Sequence, residues 1–266
     1  MNPVIVDPDT ALEKRNQLIK DGYCVVEEVL SDDFLDELRR ETNRLLDSVA
    51  HPPEWKYQGS DLSVRGTAEP VIDRLIHWEP TWEVLNAMQL DDFYSHGGFI
   101  ILSKPPGAPP LYWHQDWMRW NDPISTAPWV QYIFLSYYLV DTSIENGCFR
   151  VIPGTHLNRI PLHDHLTPAH EQGAYYVSES DPHMFYDHPD AIDVPATAGS
   201  LVIGEGRVLH AARGNRSTQR RTLLLGWHDR PCAAPRYWTD EVPEAILRRD
   251  PEAEYERTRS PGKYLA

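Results

Sequence analysis

The residues best placed to do chemistry stand in the segment Trp113-His114-Gln115-Asp116. On a β-strand, positions i and i+2 point to the same face, so His114 and Asp116 can aim at one metal ion. A third ligand must come from elsewhere in the chain. His210 is the best candidate, because it follows a strand-and-turn stretch, Gly199-Ser200-Leu201-Val202-Ile203-Gly204. Two histidines and one carboxylate make the facial triad used by non-haem Fe(II) oxygenases. Three protein ligands leave three coordination positions, enough for a bidentate 2-oxo acid and one O2. Alone, a His-x-Asp tripeptide is weak, since a buried, hydrogen-bonded polar pair explains it equally well.

Two other histidine groups compete with it. His188-Pro189-Asp190 has proline at its centre, which spoils a ladder position. His163-Asp164-His165 lies, like the first, in a polar stretch without a framing strand. Both are expected to be surface histidines. A different signal begins at Arg221, which opens the run Arg221-Thr222-Leu223-Leu224-Leu225-Gly226-Trp227. Strand parity puts Arg221 on the face of Leu223, Leu225 and Trp227 and opposite Arg220. A guanidinium at the inner end of a barrel strand binds a carboxylate, such as the distal one of 2-oxoglutarate. The competing account is one solvated basic turn made of Arg213, Arg216, Arg220 and Arg221.

These side chains need elements to hold them. Residues 11–20 predict a short amphipathic helix, broken at Gly22. Tyr23–Val26, with Val29 and Leu30, predict a strand. Ser31 then caps a second helix, with Asp32 and Asp33 in its first turn and Phe34, Leu35, Leu38, Leu45 and Leu46 on its apolar face. After this helical opening the chain is expected to be β. From residue 98, short apolar runs alternate with Gly and Pro: 98–104, 130–140, 147–153, 200–204 and 221–227. That spacing predicts a barrel or sandwich rather than βαβ units. Residues 156–197 read as a long functional loop. The charged tail from Pro231 is expected to wrap the surface as short helices. No repeat or linker divides the chain, so residues 1–266 are expected to form a single domain, with a core over about 10–230 and an extension over 231–266.

Composition bounds the function. The 266 residues carry 25 Lys and Arg against 40 Asp and Glu, a formal net charge of −15. That excludes nucleic acid and anionic membranes as main partners, because both require a basic surface. Cys24, Cys148 and Cys232 are odd in number, sparse and without a CxxC pair, which suits a reducing compartment. The first residues have neither a basic nor an apolar region of a signal peptide, and no run reaches the ~18 apolar residues of a membrane span. A cytoplasmic setting is expected.

Five segments in order then resemble the phytanoyl-CoA dioxygenase (PhyH-like) family of Fe(II)/2-oxoglutarate oxygenases, over about residues 10–230. They are Asp21-Gly22-Tyr23; Lys104-Pro105-Pro106-Gly107; Trp113-His114-Gln115-Asp116; Glu145-Asn146-Gly147-Cys148 leading to Pro153-Gly154-Thr155-His156; and His210 with Arg221. The resemblance implies a mainly β double-stranded β-helix (jelly-roll, cupin-like) core with flanking N-terminal helices. It implies Fe(II) on His114, Asp116 and His210, and 2-oxoglutarate on Arg221, with O2 as co-substrate. It implies hydroxylation of a C–H bond with release of succinate and CO2. His156 would be structural, closing a turn. The sequence departs from the pattern at Ala212, where several relatives carry Ser, and at Ser136, where some carry Trp, so further co-substrate contacts do not transfer. Lys104 reads either as a second anion contact or as a lysine at a strand end, and the strand-end account is preferred.

The substrate side is thinner. Trp117 and Trp120 follow the metal motif at offsets where relatives place substrate contacts, and Trp55, Tyr57 and Arg65 could cover the mouth. The competing account packs these tryptophans between the helices and the barrel. Aromatic walls with one or two charges suit a small, amphipathic metabolite of the specialised kind. The net charge argues against an acyl-CoA, whose phosphates want a basic cradle. Two other functions share the fold: a jelly-roll metalloenzyme that does not use 2-oxoglutarate, and a non-catalytic small-molecule binder. The first predicts that Arg221 is dispensable, and the second that a ligand is lost.

Overall fold

The structure, a computed structural model, describes residues 7–50, 60–119, 122–166 and 181–242. Helix α1 (Pro8–Asp21) starts at Asp7, whose carboxylate accepts from the Asp9 and Thr10 amides, and ends at Gly22. Strand β1 (Tyr23–Val26) follows. Val29 and Leu30 fall outside it and are buried in the turn to α2 (Asp32–Asp47), which Ser31 caps as expected. Beyond come β2 (Ser60–Arg65), α3 (Pro70–Ile76) and α4 (Glu79–Ala87). The expectation that the chain turns wholly β after the second helix is therefore wrong. α3 and α4 are only seven and nine residues long and have no side-chain cap. Each opens on a proline in its first turn, where the missing N–H costs nothing, and each is held by burying Val71, Ile72 and Leu75 or Val84 and Leu85.

The remaining strands are β3 (Tyr94–Ser95), β4 (Gly98–Lys104), β5 (Leu111–His114), β6 (Tyr132–Tyr138), β7 (Phe149–Val151), β8 (Ile192–Val194), β9 (Leu201–Glu205), β10 (His210–Ala212) and β11 (Arg221–Asp229). They form a seven-stranded sheet of order β1-β9-β6-β11-β4-β2, with β3 on β11, and a four-stranded sheet of order β5-β10-β7-β8. All pairings are antiparallel. The five apolar runs read from the sequence each overlap one of these strands: β4, β6, β7, β9 and β11. The Pro231 tail shows no helix up to residue 242, and the rest of it lies outside the described residues. Among the described residues no helix is long and apolar enough to cross a membrane.

Two cores follow from strand parity. Ile133, Leu135, Tyr137, Leu201, Ile203 and Leu224 point out of the larger sheet and bury the apolar faces of the helices. Phe134, Tyr138, Val202 and Leu223 point the other way, and meet Phe149, Val151 and Val194 of the smaller sheet. The space between the sheets is thus closed by aromatic and branched side chains. Residues 184–187 run over the outer face of the smaller sheet. There the Trp113 amide donates to the Met184 carbonyl at 2.9 Å and its indole to the Tyr186 carbonyl at 2.7 Å, while Arg150 pairs with Asp187.

The inner packing leaves no spare volume at Gly204. A Cβ there would lie 2.0 Å from Cζ of Phe134, whose ring centroid is 4.8 Å from that of His210. Gly204→Ala is expected to destabilise the fold by about 1–3 kcal/mol, as overpacked cores do. A thermal melt checks this at roughly 2–4 °C per kcal/mol, and an unchanged Tm would contradict it.

Candidate functional site

β10 lies between β5 and β7, and its register sets His210 directly across from His114. The two ring centroids are 4.2 Å apart. Asp116 follows just after β5, where its amide and that of Trp117 donate to the Gly206 carbonyl at 2.8 and 3.0 Å. One ligand atom from each of His114, Asp116 and His210 lies within 4.8 Å of the others, and among the described residues no other group of three or more His, Cys, Asp or Glu does this.

Each imidazole is oriented by the carbonyl two residues before it. His114 Nδ1 donates to the Tyr112 carbonyl at 2.9 Å, and His210 Nδ1 to the Val208 carbonyl at 3.1 Å. A carbonyl only accepts, so both Nδ1 atoms carry the proton and both Nε2 lone pairs are bare. Those Nε2 atoms lie 3.6 Å from Asp116 Oδ1 and 3.8 Å from Oδ2, too far for hydrogen bonds. Trp227 Nε1 donates to Asp116 Oδ2 at 2.8 Å, which holds the carboxylate and leaves Oδ1 toward His114. Burial and the neighbouring His114 push the His210 pKa down to about 4, so it is neutral at physiological pH, as a ligand must be. Two imidazoles and one carboxylate, each held by a further hydrogen bond, fit a divalent first-row metal.

Arg221 opens β11 on the inner face, as parity predicted, and is 4% exposed. Its Nε has no hydrogen-bond partner among the described residues. Directly across in register stands Lys104 of β4. Lys104 does end β4, but its side chain is fully buried rather than solvated, with Nζ donating to the Pro109 carbonyl at 2.7 Å. Burial and the Arg221 charge pull the Lys104 pKa well below its ordinary value. Burial lowers that of Arg221 too, although a guanidinium stays charged. Two cations side by side in an apolar interior are stabilised by an anion placed against them. The solvated-turn account fails for Arg221, while Arg216 does lie at the surface. A Cβ at Gly147, of the Asn-Gly-Cys turn, would sit 3.2 Å from Lys104 Cδ. Ala212 and Ser136 also face this interior, opposite Phe149 and Val202 respectively.

Of the remaining residues, Trp117 is 1% exposed, and its Nε1 donates to Ser125 Oγ at 2.8 Å within a cluster of Ile124, Trp129 and Tyr132. It is a packing residue, which corrects its assignment to the substrate surface. Trp120, Trp55 and Tyr57 lie outside the described residues. Arg65 Nη1 donates to the His96 carbonyl at 2.7 Å. His156 is buried as a structural residue, bonded through Nε2 to the Ile19 carbonyl at 2.8 Å. His163 is also buried, accepting from the Ile160 amide at 3.0 Å in a short turn, which corrects its surface placement. His165 stacks on His183, and His188 lies near Asp190.

A family model for phytanoyl-CoA dioxygenase (PhyH) matches residues 18–223. The chain belongs to this family. Among PhyH relatives it is 23% identical over 232 residues to a probable alpha-ketoglutarate-dependent hypophosphite dioxygenase of Stutzerimonas stutzeri, covering 81% of this chain and 77% of that one. It is 24% identical over 210 residues to the ectoine dioxygenase of Sphingopyxis alaskensis, covering 74% and 68%. Its fold matches that of SnoK, a non-heme alpha ketoglutarate dependent carbocyclase from nogalamycin biosynthesis, with a TM-score of 0.65, 18% identity and coverage of 87% and 88%. The double-stranded β-helix expected from the sequence is the fold found.

Trp227 went unassigned as a support of the site. Parity placed it on the Arg221 face, but only the fold brings residue 227 to residue 116. Trp227→Phe is expected to weaken Fe(II) or Mn(II) binding about 10- to 100-fold while the chain stays folded. Calorimetric titration reads this, and an unchanged Kd would contradict it.

Three buried histidines outside the triad set a pH dependence. Burial lowers the pKa of His156 to about 3 and those of His163 and His228 to about 4, and each keeps one ring nitrogen without a partner among the described residues. The unfolded chain takes up protons near pH 6.5 while the folded chain does not. Stability is therefore full above pH 6.5 and falls as pH drops toward 4. Urea unfolding is expected to show a steadily decreasing ΔG from pH 7 to pH 4.5; a flat profile would contradict the burial of neutral rings.

Proposed function

We propose that this chain is a non-haem Fe(II)/2-oxoglutarate-dependent dioxygenase that hydroxylates a C–H bond of a small metabolite. His114, Asp116 and His210 would hold iron, and Arg221 with Lys104 would hold the distal carboxylate of 2-oxoglutarate. The observation that carries this reading is the convergence of two bare Nε2 atoms and a carboxylate on the same enclosed interior as a buried Arg221. Family membership supports it, as do relatives named for α-ketoglutarate dependence and for small substrates, including an L-proline trans-4-hydroxylase.

When bound, Fe(II), 2-oxoglutarate and O2 supply an oxidative decarboxylation that yields succinate and CO2 and oxidises a substrate C–H bond. The chain's own residues prepare this. His210 is neutral without metal, so no proton must leave it first. Trp227 fixes the rotation of the Asp116 carboxylate. Arg221 and Lys104 offer charge in a low-dielectric interior, where a carboxylate gains more than it would at the surface. Phe134 and Phe149, with ring centroids 4.8 and 5.7 Å from that of His210, shield it from water.

Activity tests separate the parts. His114→Ala and Asp116→Ala are expected to abolish substrate-dependent succinate release. Arg221→Ala is expected to raise the 2-oxoglutarate KM roughly 10- to 100-fold, the worth of a charged hydrogen bond. Unaltered turnover in the first two would contradict the iron assignment. An unaltered KM in the third would favour a jelly-roll metalloenzyme that does not use 2-oxoglutarate.

A further inference from the structure

Arg119 lies three residues beyond Asp116 and is paired in an unusual way. A single nitrogen, Nη2, donates to both oxygens of Asp229, at 2.6 and 2.5 Å. Arg213 by contrast meets Asp193 through a two-nitrogen fork, Nε at 2.7 Å and Nη2 at 2.8 Å. In Arg119 the Nε and Nη1 donors make no hydrogen bond among the described residues. The side chain keeps 25% of its surface open. Its guanidinium carbon stands 4.9 Å over the Trp117 ring, which fixes its height.

The position of Asp229 places this open edge relative to the metal motif. Asp229 follows Trp227 by two residues on the inner face of β11, a span of about 7 Å, and Trp227 holds Asp116. Tyr132, the register partner of Asp229, adds an aromatic wall, with ring centroids 5.7 Å from His96 and 5.7 Å from Trp117. Three N–H donors of Arg119, unused among the described residues, thus stand at the end of β11 that carries Trp227, the partner of Asp116. Asp229 already offsets part of the Arg119 charge, so a monoanion matches the pair better than a dianion does.

We propose that Arg119 binds the carboxylate of the substrate to be oxidised, so that the substrate class is a small carboxylic acid. The inference rests on the oxygenase function proposed above. Asp229 is then the residue that holds Arg119 in position.

The test uses the full chain loaded with Fe(II) and 2-oxoglutarate. L-amino acids and 2-hydroxy acids are compared with their primary amides for stimulated succinate release. Acids are expected to stimulate where matched amides do not. Arg119→Gln is expected to raise the KM of the stimulating acid roughly 10- to 100-fold and that of 2-oxoglutarate by less than twofold, with Arg119→Lys recovering part of the loss. Thermal melts of both variants report whether the chain still folds. Amides as effective as acids, no stimulation by either class in a wild type that turns over 2-oxoglutarate unaided, or an unmoved KM in a folded Arg119→Gln would each overturn the proposal. No 2-oxoglutarate turnover under any condition would instead sink the oxygenase reading, and this inference with it.

Discussion

The site depends on the antiparallel register that sets His114 opposite His210. The two strands are short, four and three residues, and a slip of one residue would turn an imidazole out of the interior. So short a pair does not hold register by its own propensity. β7 flanks β10 on its other edge, with His210 opposite Val151. The Gly206 carbonyl catches the amides of Asp116 and Trp117, and Met184 and Tyr186 catch Trp113 from outside. Residues 184–186 are thus part of what fixes the segment that carries His114 and Asp116.

β11 is the second organising element. Its inner face carries Arg221 at one end, Leu223 and Leu225 between, and Trp227 and Asp229 at the other. One strand therefore presents a buried cation, an apolar floor, the donor that holds Asp116, and the partner of Arg119. The period of two makes this economical, since a single register choice orients all five side chains. Burying Arg221 and Lys104 together costs stability in the absence of an anion, a cost that an anionic ligand offsets.

Much of this was legible in the sequence, for identifiable reasons. His114 and Asp116 do converge, although β5 ends at His114 and Asp116 lies just beyond it, and the parity of 221–227 holds along β11. The Ser31 cap and the runs around β4, β6, β9 and β11 were equally readable, because long apolar segments carry strong periodic signals. The short strands β2, β5, β8 and β10 carry little period of their own. α3 and α4 are helices by virtue of what they bury. Trp227 and Lys104 each acquire a role from a residue more than a hundred positions away, Asp116 and Arg221 respectively, which no local pattern shows. His163 looked solvated in a polar stretch but packs under its own turn.

The central claim joins a metal held by three residues to an anion held by a fourth on the same inner surface. A crystal structure of the chain grown anaerobically with Fe(II) and 2-oxoglutarate tests it most directly. The account predicts one iron bound by His114 Nε2, His210 Nε2 and Asp116 Oδ1, with the far carboxylate of 2-oxoglutarate against Arg221 and Lys104. Iron bound elsewhere, or 2-oxoglutarate with its far carboxylate away from Arg221, would contradict it.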